Sequence, residues 1–462
     1  MRIAMFASEV VPFAKTGGLA DVVGALPLVL EDCGQEVIIL MPKYKCIRDS
    51  KFKISKVSKG ISCSIIGKNI KVYFIENDLY FNRDGLYVDK SGDYKDNLER
   101  FAFFCRRALE LLKEIDFAAD ILHLHDWQSS LVAVYLKSLY SKEPFYSKMH
   151  CILTIHNLGY QGLFAKEEFP KLGLESSLFS VSGLEFYNQV NLLKGGIIFS
   201  DLINTVSPTY AQEIQTEELG FGLDGLLRQR KDDLSGIVNG LDYFVWDPNT
   251  DRLIVQNYSL LNKEEKIFNK ENLQLACGLP VNRDIPVLGI VSRLVEAKGF
   301  DILTQGLDEI CKMNVQLVIL GMGDLKYHRI LEAVQRKYPK IISLNLKFDD
   351  PLAHKIYAGS DIFLMLSSYE PCGLGQLISL HYGTIPLVFK TGGLADTINK
   401  NNGFVFTRHT KEEFLKLIKK AIVTFKDKHK WNRLIVNAMK CNFSWEASAK
   451  KYIQLYAQAK EK

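Results

Sequence analysis

Lys15-Thr-Gly-Gly-Leu-Ala-Asp21 recurs, residue for residue, as Lys390-Thr-Gly-Gly-Leu-Ala-Asp396. Seven consecutive identities near opposite ends of a chain mark two units built to one plan. Each copy follows a short apolar run and opens a helical period, so each predicts a strand, a tight turn and a helix. At such a turn, free backbone N–H groups and the helix dipole point at the loop, and paired glycines let an anion come close. Gly17 and Gly18 fit that role, and so do Gly392 and Gly393. Any tight strand-to-helix turn also needs glycine, so the duplication and the attached lysine carry the binding reading, not the glycines alone.

Outward from the repeats, short Val/Ile/Leu-rich runs alternate with longer amphipathic stretches. This is the pattern of a parallel sheet covered by helices on both faces. In the first half the predicted strands are 3–6, 37–40, 72–75, 121–125, 152–155, 203–206 and 236–238, with helices at 97–115 and 127–139. In the second half they are 286–291, 315–320, 341–344, 361–366 and 386–389, with helices at 352–358 and 372–382. The fold class is therefore α/β, with two Rossmann-like domains. A polar, turn-rich stretch at 239–251 precedes a helical run at 263–276 and marks the hinge. The expected domains are residues 1–245 and residues 246–443. A final helix at 444–462 carries Trp445, Ala449, Tyr452, Leu455 and Tyr456 on one apolar face, and is expected to pack back on the first domain.

Composition narrows the function. The chain has 462 residues, enough for two cores, and 47% of them are hydrophobic, which suits a compact protein. Lys and Arg number 58 against 53 Asp and Glu, a net +5 spread along the chain, which excludes a clustered nucleic-acid face. The nine cysteines form no CxxC pair and read as reduced thiols. No signal sequence precedes the first strand and no run has the roughly 18 apolar residues of a membrane span, so a cytoplasmic location is expected.

The chemistry-bearing residues fall at predicted strand ends. Arg293 and Lys298, in Ser-Arg-Leu-Val-Glu-Ala-Lys-Gly, follow the strand ending at Val291. A guanidinium holding two phosphate oxygens beside an ammonium would neutralise a departing nucleotide diphosphate without a metal, although spacing alone fits a solvated surface equally well. Glu370, in Tyr-Glu-Pro-Cys-Gly-Leu-Gly, could accept hydrogen bonds from sugar hydroxyls or merely complement a helix dipole. Cys372 invites a nucleophile reading, but no His partner is evident. His156 and Asp126 end strands of the first domain. His123 and His125 share a strand face like a metal pair that lacks a third ligand. Neither a metal nor another cofactor is expected. Tyr357 could stack on a nucleotide base or be a packed core tyrosine.

As an ordered set, Lys15 to Asp21, His125-Asp-Trp127, His156-Asn157, Tyr160-Gln-Gly162, Gly222-Leu-Asp-Gly-Leu-Leu227, Ser292-Arg-Leu294 with Lys298-Gly299, Glu370-Pro-Cys-Gly-Leu374 and Thr391 to Asp396 resembles the bacterial glycogen synthases and plant starch synthases. These are retaining glycosyltransferases of two facing Rossmann-like domains, the GT-B architecture, with the active site in the cleft. The resemblance implies His156, Glu370, Arg293 and Lys298 as catalytic residues. It implies a donor site of Lys15, Gly17, Gly18, Asp21, Tyr357, Cys372, Gly373, Leu374, Thr391 and Gly392, with Asp126 and Asn157 also in the cleft. It further implies transfer of glucose from ADP-glucose to the non-reducing end of an α-1,4-glucan, with an acceptor groove on the first domain. Two departures stand out. Ser368-Tyr369 replaces the family's usual Arg-Phe, and Ile378 stands where related transferases carry a second glutamate. The first leaves UDP-glucose open as donor, and a non-catalytic glycan-binding protein is the remaining alternative.

Overall fold

The computed structural model describes residues 1–462 and divides into two compact units, Met1–Gly240 with Trp445–Lys462, and Leu241–Ser444. The first unit is built on a nine-stranded sheet in the order Leu234–Gly236, Leu202–Thr205, His150–Ile155, Ile121–His125, Arg2–Phe6, Glu36–Pro42, Ile70–Ile75, Ile61–Ile66, Ser55–Ser58. The strands from Leu234–Gly236 to Ile70–Ile75 run parallel, and the last two close the edge antiparallel. The parallel strands are apolar and almost wholly buried, because helices such as Gly18–Asp32 and Asn97–Glu114 cover them.

The second unit carries a six-stranded parallel sheet, Ile342–Asn345, Gln316–Leu320, Val287–Val291, Ile362–Met365, Ile385–Phe389, Phe404–Phe406. Two apolar clusters fill its faces, one around Leu303, Leu317 and Phe414, the other around Leu273, Tyr357 and Tyr382.

Several elements differ from the sequence reading. The strand expected at 236–238 lies at Leu234–Gly236, and the helix expected from Cys372 begins at Gly375. The antiparallel strands Ser55–Ser58 and Ile61–Ile66 and the short Phe404–Phe406 were not anticipated: the first is wholly exposed, the second interleaves serines and a cysteine with its isoleucines, and the third has only three residues, so none carries a long apolar run. The first unit ends after Gly240, not after 245. Leu241 donates its N–H to Phe443 O and sits in the apolar cluster of the second unit, with Trp246 packed against it.

The helix Trp445–Ala459 lies in the first unit. Gly240 is pressed against Trp445, where an added Cβ would stand 2.5 Å from the indole, and Ser448 Oγ donates to Val238 O at 2.7 Å. Tyr452 and Tyr456 are fully buried. Removing a buried ring from such a site leaves a cavity, so Trp445→Ala should lower unfolding free energy by about 3–5 kcal/mol. Urea denaturation of the full chain checks this, and a loss below about 1 kcal/mol would mean that the indole is not an anchor.

Candidate functional site

The loop leaving Arg2–Phe6 is braced by a residue that sequence reasoning did not single out. Glu9 is only 4% exposed, and its carboxylate accepts from Thr16 N–H, from Thr16 Oγ1 at 2.5 Å and from Gly17 N–H at 3.1 Å. Tyr87 Oη donates to the same carboxylate at 2.7 Å. The loop therefore closes on a buried acid. Lys15 is left outside, its side chain 54% exposed and paired with Asp21 at 2.7 Å. Nothing lies within 4 Å of a Cβ built on Gly17 or Gly18, and neither has a positive φ. No neighbour in the chain demands glycine there, and the space before both residues is open to a ligand.

The second copy of the repeat is used differently. Gly392 has φ +41, its built Cβ would stand 2.0 Å from Glu370 O, and that of Gly393 would stand 2.1 Å from Cys372 O. The Gly393 N–H is directed at Glu370 O and Pro371 O. Close carbonyls demand glycine here, unlike at the open Gly17 and Gly18, and Gly392 and Gly393 stand under them. They are the floor on which the Glu370–Cys372 segment rests, and Thr391 beside them is buried.

That segment holds the groups of the second unit. Glu370 pairs with Lys298 Nζ through Oε2, and the same oxygen accepts from Ser367 Oγ at 2.8 Å. Ser368 N–H donates to Ala297 O, tying this loop to the one that carries Lys298. Arg293, just after Val287–Val291, is exposed and its guanidinium has no protein partner. Cys372 is buried ahead of the helix, and Gly373, with φ +74, turns the chain towards Leu374 and that helix. Ile378 faces the core. Tyr357, at 4% exposed, packs against Phe363 at 4.8 Å and Trp246 at 5.4 Å. Tyr357 is thus part of the apolar cluster of the second unit.

In the first unit, His156 follows His150–Ile155 and Asp126 follows Ile121–His125. Asp126 has φ +55, a conformation costing about 1–3 kcal/mol and usually kept only where surroundings enforce it. Its carboxylate accepts the His156 N–H at 2.7 Å. The His156 ring meets His125, Nε2 to Nδ1 at 3.0 Å, and Asn157 turns the chain by accepting the Gly159 N–H. His123 and His125 do share a face, with ring centroids 4.2 Å apart, but His123 is engaged by Thr154 at 2.7 Å and Tyr456 at 2.9 Å. The register between strands brings these imidazoles together, which no sequence spacing displays.

Burial pushes His123 and His156 down to about 3, and His125 well below its ordinary 6.5. It pushes the Asp126 carboxyl up to about 7, against the backbone N–H groups of His156 and Asn157. Between pH 6.5 and 4 the unfolded chain comes to hold protons on all three imidazoles, whereas the folded chain holds one, taken up by Asp126 near pH 7. Stability at these groups is therefore complete above pH 6.5 and falls as pH falls. The melting temperature should drop over this range. Asp126→Asn should steepen the drop by removing the opposing uptake, and a flat profile in both proteins would contradict the buried neutral imidazoles.

The family model described as the starch synthase catalytic domain matches residues 2–229, and that of glycosyl transferases group 1 matches 278–440. A glycogen synthase of Thermosipho melanesiensis is 48% identical, the alignment covering 100% of both chains. One of Geotalea uraniireducens is also 48% identical over 99% of each. Among solved structures, the catalytic domain of starch synthase IV from Arabidopsis thaliana, bound to ADP and acarbose, is 32% identical. Its TM-score is 0.90, over 100% of this chain and 99% of that one. A sucrose-phosphate synthase from Thermosynechococcus elongatus, 17% identical with a TM-score of 0.62 over 99% and 98% of the two chains, shares the fold. With both halves matched and full-length relatives at nearly half identity, the chain is a glycosyltransferase of the bacterial glycogen synthase and plant starch synthase family, built from two Rossmann-like units of the GT-B class.

Proposed function

We propose that this chain lengthens an α-1,4-glucan at its non-reducing end, taking glucose from ADP-glucose with retention of configuration. The observation that carries the reading is the cation arrangement of the second unit. Arg293 is exposed and unpartnered, while Lys298 is held by Glu370, a carboxylate itself fixed by Ser367. A free guanidinium and a positioned ammonium on the one segment that follows Val287–Val291 suit a diphosphate whose charge grows as the glucosyl bond breaks. The first unit has an anion-accepting feature of its own: Lys15, with Gly17 and Gly18 open before it, is held by Asp21 until an anion competes.

In the first unit the residue assigned to the sugar is His156. His156 is neutral and its main chain is fixed by Asp126, so it serves as a hydrogen-bonding group and not as a proton store. Glu370 is committed to Lys298 and Ser367, and Cys372 is buried, so neither is offered as a nucleophile. The bond from the glucosyl carbon to the diphosphate oxygen breaks, the 4-hydroxyl of the acceptor bonds to that carbon on the same face, and its proton passes to the departing diphosphate. The relatives' names support a glucan product, and the ADP in the solved starch synthase supports the base.

The test is incubation of the full chain with glycogen and either ADP-glucose or UDP-glucose, reading glucose incorporation and the anomeric configuration of the new linkage. ADP-glucose should be used preferentially and give α-linkages. Preference for UDP-glucose would overturn the donor, and no incorporation from either would favour a glycan-binding protein. Arg293→Ala or Lys298→Ala should each lower kcat by about a hundredfold to a thousandfold, as expected for loss of a preorganised charge at the leaving group. Full activity in both variants would remove these residues from the site.

A further inference from the structure

His125 and Asp126 are consecutive, and both grip His156. Asp126 takes its main-chain N–H at 2.7 Å, and His125 meets its ring at 3.0 Å. Behind His125 stands a buried polar row on the same face of the sheet. His123 lies 4.2 Å away, centroid to centroid, and its two nitrogens are engaged by Thr154 Oγ1 and Tyr456 Oη. Asn204 Nδ2 donates at 3.2 Å to both Thr154 Oγ1 and Tyr452 Oη. Tyr452 and Tyr456 belong to the last helix, so the row runs from the end of the chain to His156.

The ring of His125 has one further property. Its Nε2 is enclosed and meets no partner. A neutral imidazole carries a single N–H, and an enclosed donor without an acceptor is rarer than an enclosed acceptor left unused. The His125 proton therefore sits on Nδ1 and is donated to Nε2 of His156. That bond decides which nitrogen of His156 bears hydrogen, since the proton state of one ring nitrogen is set by the bond the other makes.

We propose that His125 is a positioning residue for glucosyl transfer, which fixes His156 as the Nδ1–H tautomer and holds its ring in place, backed through His123 by Tyr456 of the last helix. The inference rests on the reading of His156 as a residue beside the transferring glucose. Burial of all three rings keeps the row uncharged, so it acts through orientation and not through titration.

The test uses full-length His125→Asn, His125→Gln and His125→Leu, with kcat and KM for the nucleotide sugar and the ¹⁵N signals of the His156 ring. An asparagine amide can reach the place of Nδ1, whereas the longer glutamine amide falls nearer Nε2. His125→Gln and His125→Leu should lower kcat about tenfold to a hundredfold, as a small misplacement of a reacting group does, with KM nearly unchanged. His125→Asn should keep most of kcat and the protonated Nδ1 signal. Should the leucine protein fail to fold, the asparagine and glutamine pair still decides. Equal kcat in that pair, or a wild-type His156 protonated on Nε2, would overturn the proposal. Tyr456→Phe should lower kcat less, in the same direction, and an unchanged kcat with unchanged His156 signals would cut the last helix out of it. His156→Ala separates the two readings. Wild-type turnover in that variant would remove the role of His156 itself, whereas slow turnover beside an unimpaired His125→Leu would remove only His125.

Discussion

A parallel strand covered on both faces can offer a functional side chain to solvent only where it ends. Both units of this chain live under that constraint. Val287–Val291 and Ile121–His125 are almost wholly buried, and the groups that matter begin within two residues of their last positions, at Arg293 and Asp126. The loops at these ends must then be held without regular secondary structure. Each is braced by a buried polar contact: Glu9 under Thr16 and Gly17, Asp126 under His156, and Ser367 with Lys298 around Glu370. An acid used in this way loses hydration and regains it as directed hydrogen bonds, which orders the loop as it does so.

The repeated heptapeptide shows how one local sequence serves two ends. In the first unit its glycines look onto open space, and the segment itself is available to a ligand. In the second they are pressed under the Glu370–Cys372 backbone, and the segment is a support. The difference arises from what the rest of each unit lays over the turn, which the seven residues do not encode.

Much of this was legible beforehand. Apolar runs located the central parallel strands, because such strands are mostly apolar. Glycine pairs and strand-end cations located Lys15, Arg293 and Lys298. What escaped reading is what register and loop closure create. Glu9 becomes meaningful only when the chain returns to it at Thr16. His125 meets His156 only because Ile121–His125 and His150–Ile155 are neighbours in the sheet. Ser55–Ser58 escaped because an exposed edge strand carries no buried face to mark it. The packing of Tyr357 against Phe363 and Trp246 likewise escaped, because Trp246 lies more than a hundred residues away in the chain.

The first unit is interrupted in sequence, since its last helix is separated from the rest by the whole of Leu241–Ser444. The second unit is continuous. During synthesis, which proceeds from the amino terminus, the second unit has all its residues before the first one does. The first sheet must wait with the seat of Trp445, Tyr452 and Tyr456 unfilled, and the polar row at His123 uncovered, until the final residues emerge. Enclosure of the row from His123 to His156 is thereby tied to arrival of Trp445–Ala459, so a polypeptide cut short before Trp445 carries the strands of the row and lacks its backing.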